Sequence, residues 1–190
     1  DVCSSDLSVM GLVESFVGVV PAGGGCKEML YRWTEKLNDT QKGAWKSFMN
    51  IGLGRKANSP QEADALAMRR ADDVFQMNRD RILNIALSKL GDTKKASQRS
   101  PLALSGAEHF KEMLEWLEVN NKKGMLTPHD VTVGTEIGRI MSGGDCPAGT
   151  VFSEQEILDA ERSSFITLAQ TQETQARIVS MLDNGVTLRN

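Results

Sequence analysis

One carboxylate stands alone near the front of this 190-residue chain. Glu14 is the only charged side chain between Ser8 and Lys27, inside the run Gly11-Leu12-Val13-Glu14-Ser15-Phe16-Val17-Gly18-Val19-Val20. The β-branched and apolar content of Ser8 to Val20 predicts a strand, the one convincing strand region of the sequence. In a strand, Glu14 shares a face with Leu12 and Phe16, while Val13 and Val17 take the other. Both faces are apolar, so a partly desolvated carboxyl is expected. A carboxyl that loses water holds its proton more tightly, which suits general acid–base chemistry. The plainer alternative is a Glu at a strand end, facing water or a Lys.

Pro21-Ala22-Gly23-Gly24-Gly25 follows directly. Glycines allow close backbone approach, and a helix N-terminus offers free N–H groups, so this turn could hold an anion or a polarised water. It matches neither the GxxxxGK[ST] phosphate loop nor GxGxxG, and a simple strand-to-helix turn accounts for it equally. Other candidates are weaker. His129 falls at the second position of a helix and reads as surface or cap decoration. Cys26 lies near a helix N-terminus, a position that lowers a thiol pKa, but with no His nearby in sequence a small buried thiol is the expected reading. Arg69-Arg70, Lys94-Lys95 and Lys122-Lys123 read as solvated basic pairs. No G-x-S-x-G nucleophile motif exists. With two histidines and three scattered cysteines, no metal site is expected.

The elements that must position these groups are mostly helices. Met29, Leu30, Trp33 and Leu37 recur at helical spacing after the Gly-rich turn. Asn38 to Asn58 carries Gly43, Gly52 and Gly54 and shows no firm period. Ser59-Pro60-Gln61-Glu62 reads as a capping box with Pro at the first helical position. A brief strand or turn at Asp72-Asp73-Val74-Phe75 precedes a helix from about Asn78, with Leu83, Ala86, Leu87 and Leu90 on one face and Gly91 as its stop. Gly91 to Pro101 reads as a solvated loop. Ser105-Gly106-Ala107-Glu108 is a further capping box, ahead of Phe110, Met113, Leu114 and Leu117. Thr127-Pro128-His129-Asp130 opens a helix with Val133, Ile137, Ile140 and Met141, closed by Gly143-Gly144. Ser153-Glu154-Gln155-Glu156 starts another, with Ile157, Leu158, Phe165 and Leu168. Thr171 caps a last one, with Ile178, Met181 and Leu182 before Gly185.

Composition bounds the function. Charged residues are 25%, hydrophobics 40% and the net charge −3, which excludes a disordered tail and a strongly basic nucleic-acid binder. Aromatics at 5% against nine Met favour a helical core over an all-β sandwich. No apolar run approaches the roughly 20 residues of a membrane helix, and no basic n-region of a signal peptide precedes Lys27. A cytoplasmic setting is expected from the cysteine usage. The first seven residues, Asp1-Val2-Cys3-Ser4-Ser5-Asp6-Leu7, back-translate to a sequence that resembles the end of a common sequencing adapter. They are expected to be an artefact of read-through, with the natural sequence starting at about Ser8, in mid-protein.

Residue order adds a resemblance. Gly11-Leu12-Val13-Glu14 and Gly18-Val19-Val20-Pro21-Ala22-Gly23-Gly24-Gly25-Cys26-Lys27-Glu28-Met29 resemble the crotonase (enoyl-CoA hydratase/isomerase) superfamily. The chain is closer still to the C-terminal crotonase part of bacterial 3-hydroxyacyl-CoA dehydrogenase/enoyl-CoA hydratase fusion proteins. That closer match is carried by Met77-Asn78-Arg79-Asp80-Arg81, Ser142-Gly143-Gly144-Asp145, the stretch Ser153 to Phe165 and the ending Met181 to Asn190. The resemblance implies an α/β fold, a spiral of ββα units, incomplete here. The chain itself is expected to be predominantly α-helical with a short β-containing N-terminal part. It implies residues 8–92 as the C-terminal half of a crotonase core and 93–190 as a helical region used for oligomer contacts and for covering the acyl-CoA site.

In hydratases of that family, backbone N–H groups hold the thioester oxyanion, and two glutamates activate a water that adds across the 2,3 double bond. The resemblance places Glu14 at the second glutamate. Ala22 stands where a backbone N–H helps hold the water, with Gly23 and Gly24 in the turn that permits it. It places the first glutamate, the oxyanion segments and an NAD-binding dehydrogenase part upstream of Ser8. No cofactor is therefore expected within this chain. The implied partners are an acyl-CoA substrate, the upstream dehydrogenase domain and a possible second copy. The implied parent is a fatty-acid β-oxidation enzyme, with this portion inactive by itself. Near Ala67 the family often has Gly. Two alternatives stay open: a helical interaction module with no hydratase activity, and an enoyl-CoA isomerase.

Overall fold

The computed structural model describes the backbone of Val2–Cys3 and residues 9–90 and 99–190. The helix stop at Gly91, the Lys94-Lys95 pair and most of the Asp1 to Leu7 segment lie outside the described residues. Helices dominate: α1 (Gly25–Leu37), α2 (Thr40–Gly52), α3 (Pro60–Ala65), α4 (Ile82–Lys89), α5 (Gly106–Lys122), α6 (Pro128–Ser142), α7 (Glu154–Ala169) and α8 (Gln172–Asn184). Among the described residues, six two-residue strands, β1 (Val2–Cys3), β2 (Met10–Gly11), β3 (Lys56–Ala57), β4 (Val74–Phe75), β5 (Leu102–Ala103) and β6 (Val151–Phe152), form three isolated pairs. Of these pairs, β1 with β4 is parallel and the others are antiparallel.

Contacts divide the chain into two units. The smaller comprises Asp1–Gly11 and Lys56–Arg99. It holds the β1–β4 and β2–β3 pairs, α3 and α4. Ser59 caps α3 by accepting from the Glu62 amide, with Pro60 in the first turn, as its sequence predicts. Ala67 stands at φ 55°, a left-handed backbone that costs an alanine about 1 kcal/mol and a glycine almost nothing. The apolar face of α4 is not buried: Leu83, Leu87 and Leu90 are each more than half exposed.

The larger unit comprises Leu12–Arg55 and Ser100–Asn190. Its core is the packing of α1 on α2, α2 on α6 and α5 on α6. Leu30, Phe48, Ile51, Met113, Ile137, Met141, Ile157 and Leu168 are almost completely removed from water there. Helix α2 falls in the stretch that shows no period in sequence. Asp39 caps it by accepting from the Lys42 amide. Gly43 is no breaker: a Cβ there would lie 2.8 Å from the Thr34 backbone nitrogen, so the glycine marks where α2 crosses close to α1. Thr127 and Ser153 form reciprocal capping boxes with Asp130 and Glu156. Ser105 does not cap α5; its hydroxyl lies 2.7 Å from His109 Nδ1 instead.

The long strand expected over Ser8 to Val20 does not form. Pairing stops at Gly11, and Glu14–Val17 closes into a single 3-10 turn. The backbone bonds locally, Phe16 N–H to Val13 O at 3.0 Å and Val19 N–H to Glu14 O at 3.2 Å. Gly18, at φ 87°, ends the turn in a left-handed conformation that β-branched neighbours resist. The expected alternation of Leu12, Glu14 and Phe16 on one strand face is therefore lost.

Candidate active site

Glu14 starts the 3-10 turn, and its Oε2 is buried without a hydrogen-bond partner among the described residues. An unmatched buried carboxylate oxygen is costly and calls for a reason, catalysis or an absent partner among them. The turn that carries it is pinned on two sides. The Ser15 hydroxyl donates to Ile51 O of α2 at 2.9 Å. From α8, the Thr174 hydroxyl donates to Gly18 O at 2.7 Å.

The Gly-rich turn leads straight into α1. Gly24, at φ 92°, occupies the position before the first helical residue, where only a glycine is relaxed. Gly25 is crowded: a Cβ there would come within 2.6 Å of Pro21 Cβ. Gly23 faces open space. Part of the anion-binding capacity expected of this helix start is already used. Glu161, fully buried on α7, accepts from the Gly24 amide at 2.9 Å and from the Lys27 amide. A carboxylate at a helix N-terminus satisfies orphan donors and complements the helix dipole. The Ala22 and Gly23 amides find no partner among the described residues.

Cys26 brings these groups together electrostatically. Burial pushes its thiol well above the ordinary value, and the Glu161 and Glu14 carboxylates push it further. Burial and two carboxylates outweigh the helix dipole, and Cys26 is the small buried thiol expected from the sequence. Burial also raises the Glu161 carboxyl above the usual range, against the amides of Lys27 and Gly24 that stabilise its charge. Lys27 pairs with Glu28 and Glu154, each at 2.7 Å. The described residues hold no group of three or more His, Cys, Asp or Glu suited to a metal.

A second polar cluster lies where α6 and α8 meet. Arg177 is 2% exposed and donates to Asp130 Oδ1 at 2.8 Å, Thr127 Oγ1 at 3.1 Å and Asn190 Oδ1 at 2.8 Å. Burial raises the Asp130 carboxyl, but the Thr127 amide and the Arg177 guanidinium overcome it and hold it below the usual range. His129 is not surface decoration: it is 4% exposed, and its Nε2 lies 2.8 Å from Thr174 Oγ1. Burial first and Arg177 second lower its pKa, which favours the neutral ring.

Sequence reading singles out Glu14 and the turn and passes over Glu161, Thr174 and Arg177. Glu161 carried a signal, since Ile157, Glu161, Ser164 and Leu168 share one helical face that is buried throughout. A charge on an apolar stripe marks a buried partner elsewhere. For Arg177 the signal is weaker, because Thr174 and Arg177 are the only buried positions of α8.

No protein-family model matches the chain, and no solved structure does. Among curated proteins it is similar to one named "Probable 3-hydroxyacyl-CoA dehydrogenase" from Bacillus subtilis (strain 168), 30% identical over 185 residues. The alignment takes in 95% of this chain and spans 23% of that protein's length. No described helix is long and apolar enough to cross a membrane.

Proposed function

We propose that a longer polypeptide containing this chain acts in acyl-CoA oxidation, as a 3-hydroxyacyl-CoA dehydrogenase that also hydrates 2-enoyl-CoA thioesters in a crotonase-type domain. Glu14 is the acid–base residue that this chain contributes to hydration. The observation that carries the reading is the buried Glu14 Oε2, unpartnered among the described residues, beside a Gly-rich turn whose Ala22 and Gly23 amides bond to none of them. Similarity along nearly the whole chain to the Bacillus subtilis protein supports the acyl-CoA setting.

Hydration adds the water oxygen at C3 and a proton at C2, while negative charge builds on the thioester oxygen. A carboxyl relieved of structural partners is suited to take or return a proton in that addition. The Ala22 amide, without a partner among the described residues, is suited to orient the water, and its role is independent of the alanine side chain. Gly24 contributes shape rather than a donor, since Glu161 holds its amide. A second glutamate and the oxyanion donors come, in this reading, from sequence outside the chain.

NAD does not fit the residues present. The Gly23 to Gly25 turn lacks the spacing of a dinucleotide loop, and the buried Glu161 carboxylate at the α1 N-terminus repels a pyrophosphate. Its binding belongs to another segment of the longer polypeptide, and no step here passes through it. Exchanging Glu14 for Gln in that polypeptide, with hydration of a short 2-enoyl-CoA as readout, tests the reading. Hydration is expected to collapse, and an unchanged rate rejects the role of Glu14.

A further inference from the structure

A four-residue 3-10 turn is a weak platform for a group that must transfer a proton. Its hydrogen-bond geometry is poorer than that of an α-helix, and 3-10 structure is used only in short pieces. Here the support comes from the far end of the chain. Thr174 Oγ1 reaches Gly18 O at 2.7 Å across 156 residues of sequence. Arg177 Nη1 reaches Ser15 O at 3.4 Å. Both come from one face of α8, and both bond carbonyls of the segment that Glu14 begins.

We propose that Thr174 and Arg177 of α8, with His129 behind Thr174, are positioning residues that clamp the Glu14 turn. The proposal rests on the reading of Glu14 as the acid–base group and adds what holds it. The chemistry of the contacts is directional. A threonine hydroxyl carries one proton, and Gly18 O can only accept, so that proton goes to Gly18. His129 Nε2, 2.8 Å from the same hydroxyl, must then donate to it. This fixes Nε2 as the protonated nitrogen of the neutral ring and locks the hydroxyl on the turn. Arg177 is held in turn by Asp130, Thr127 and Asn190, which leaves its Nη1 aimed at Ser15 O. The approach is so close that a Cβ on Gly18 would meet Thr174 Oγ1 at 2.6 Å. Glycine at 18 thus serves both the left-handed φ and the clamp.

The test uses the longer polypeptide with Thr174→Val, which keeps shape and removes the hydroxyl, and Thr174→Ser, which restores it. Hydrogen exchange at the Gly18 and Val19 amides, both bonded inside the turn, reads the clamp without reference to activity. Thr174→Val is expected to speed that exchange about tenfold or more, while α1 amides are unaffected. In hydration of 2-butenoyl-CoA it is expected to lower kcat about tenfold with KM within about twofold, since misplacing a catalytic group costs rate more than binding. Thr174→Ser is expected to return both readouts to within about threefold of native. His129→Phe, which spares the Thr174–Gly18 bond, is the milder variant should Thr174→Val fold poorly, with exchange about threefold faster. Native exchange at Gly18 and Val19 in these variants overturns the clamp. Faster exchange with an unchanged kcat, in a polypeptide whose Glu14→Gln form has lost hydration, overturns the positioning role. Native hydration in Glu14→Gln removes the functional reading, and the exchange result then decides the clamp alone.

Discussion

Two buried polar clusters of the larger unit handle charge in opposite ways. At the start of α1, Glu14 and Glu161 flank a buried thiol, and the Glu161 carboxyl is pushed up by desolvation. Where α6 meets α8, Asp130 faces a buried Arg177, and its carboxyl is pulled down. A buried carboxylate that meets a guanidinium gives up its affinity for protons and becomes a fastener between elements. One that meets only amides keeps that affinity. Within the first cluster, Glu161 caps a helix, whereas Glu14 Oε2 bonds to no described residue. The contrast separates groups that hold the fold from the carboxylate proposed for chemistry.

Breaking the paired cluster has the largest expected effect. Arg177→Met removes the bonds to the Asp130, Thr127 and Asn190 side chains and to Ser15 O, and leaves a partly buried Asp130 with the Thr127 amide and the exposed Arg189 at 3.7 Å, which costs about 3 kcal/mol by urea unfolding. A loss below about 0.5 kcal/mol, the size of an ordinary surface substitution, breaks the comparison on this side. Adding Asp130→Leu to Arg177→Met is expected to recover part of the loss, because the partly buried charge goes with it.

Next comes the cap. Glu161→Ala leaves the Gly24 and Lys27 amides unmatched at a buried helix start, which costs about 2 kcal/mol. Glu161→Gln keeps an oxygen acceptor and costs about half as much. Equal losses for the two variants would place the effect in packing and not in the amide bonds.

The two clusters also carry opposite signs in pH. The folded pKa of Asp130 lies below its unfolded value, so its contribution is present above about pH 4 and disappears as pH falls through the folded value. Glu161 has a folded pKa above its unfolded value. Its contribution is full below about pH 4.3 and is lost as pH rises through the folded value. Unfolding midpoints followed across this range are expected to flatten on the acid side in Asp130→Asn and on the neutral side in Glu161→Gln. The same flattening in both variants contradicts the assignment of signs.

The smallest effect concerns the thiols. Cys26 is fully buried and its thiol is raised, while Cys146 is partly exposed. Iodoacetamide on the native protein, read by peptide mass, is expected to label Cys146 about tenfold or more faster than Cys26. Faster labelling of Cys26 would mean that the α1 start opens to solvent.

Local chemistry was readable in the sequence wherever a few neighbouring residues decide the outcome. Thr127 with Asp130 and Ser153 with Glu156 cap their helices as their spacing says. The core faces of α5 and α6 follow from periodicity, with Phe110, Met113, Leu117, Val133, Ile137 and Met141 all buried. Where tertiary contacts decide, the pattern misled. Gly43 looks like a breaker but is a helix crossing. Val13, Val17 and Val19 favour a strand, yet the chain turns because local bonds and Gly18 win over propensity. Phe165 and Leu182 sit on periodic helix faces but remain exposed. Of the site, Glu14 was legible by its isolation among apolar residues. Its surroundings were not, since Glu161 lies 137 residues from the amide it caps and Thr174 lies 156 from the carbonyl it holds.

The most direct measurement compares the longer polypeptide, native and Glu14→Gln, in hydration of 2-butenoyl-CoA, with urea midpoints taken on both proteins. The account expects kcat to fall about a hundredfold or more, KM to stay within about threefold and the midpoint to be unchanged. Hydration at the native rate in a folded Glu14→Gln protein would contradict it.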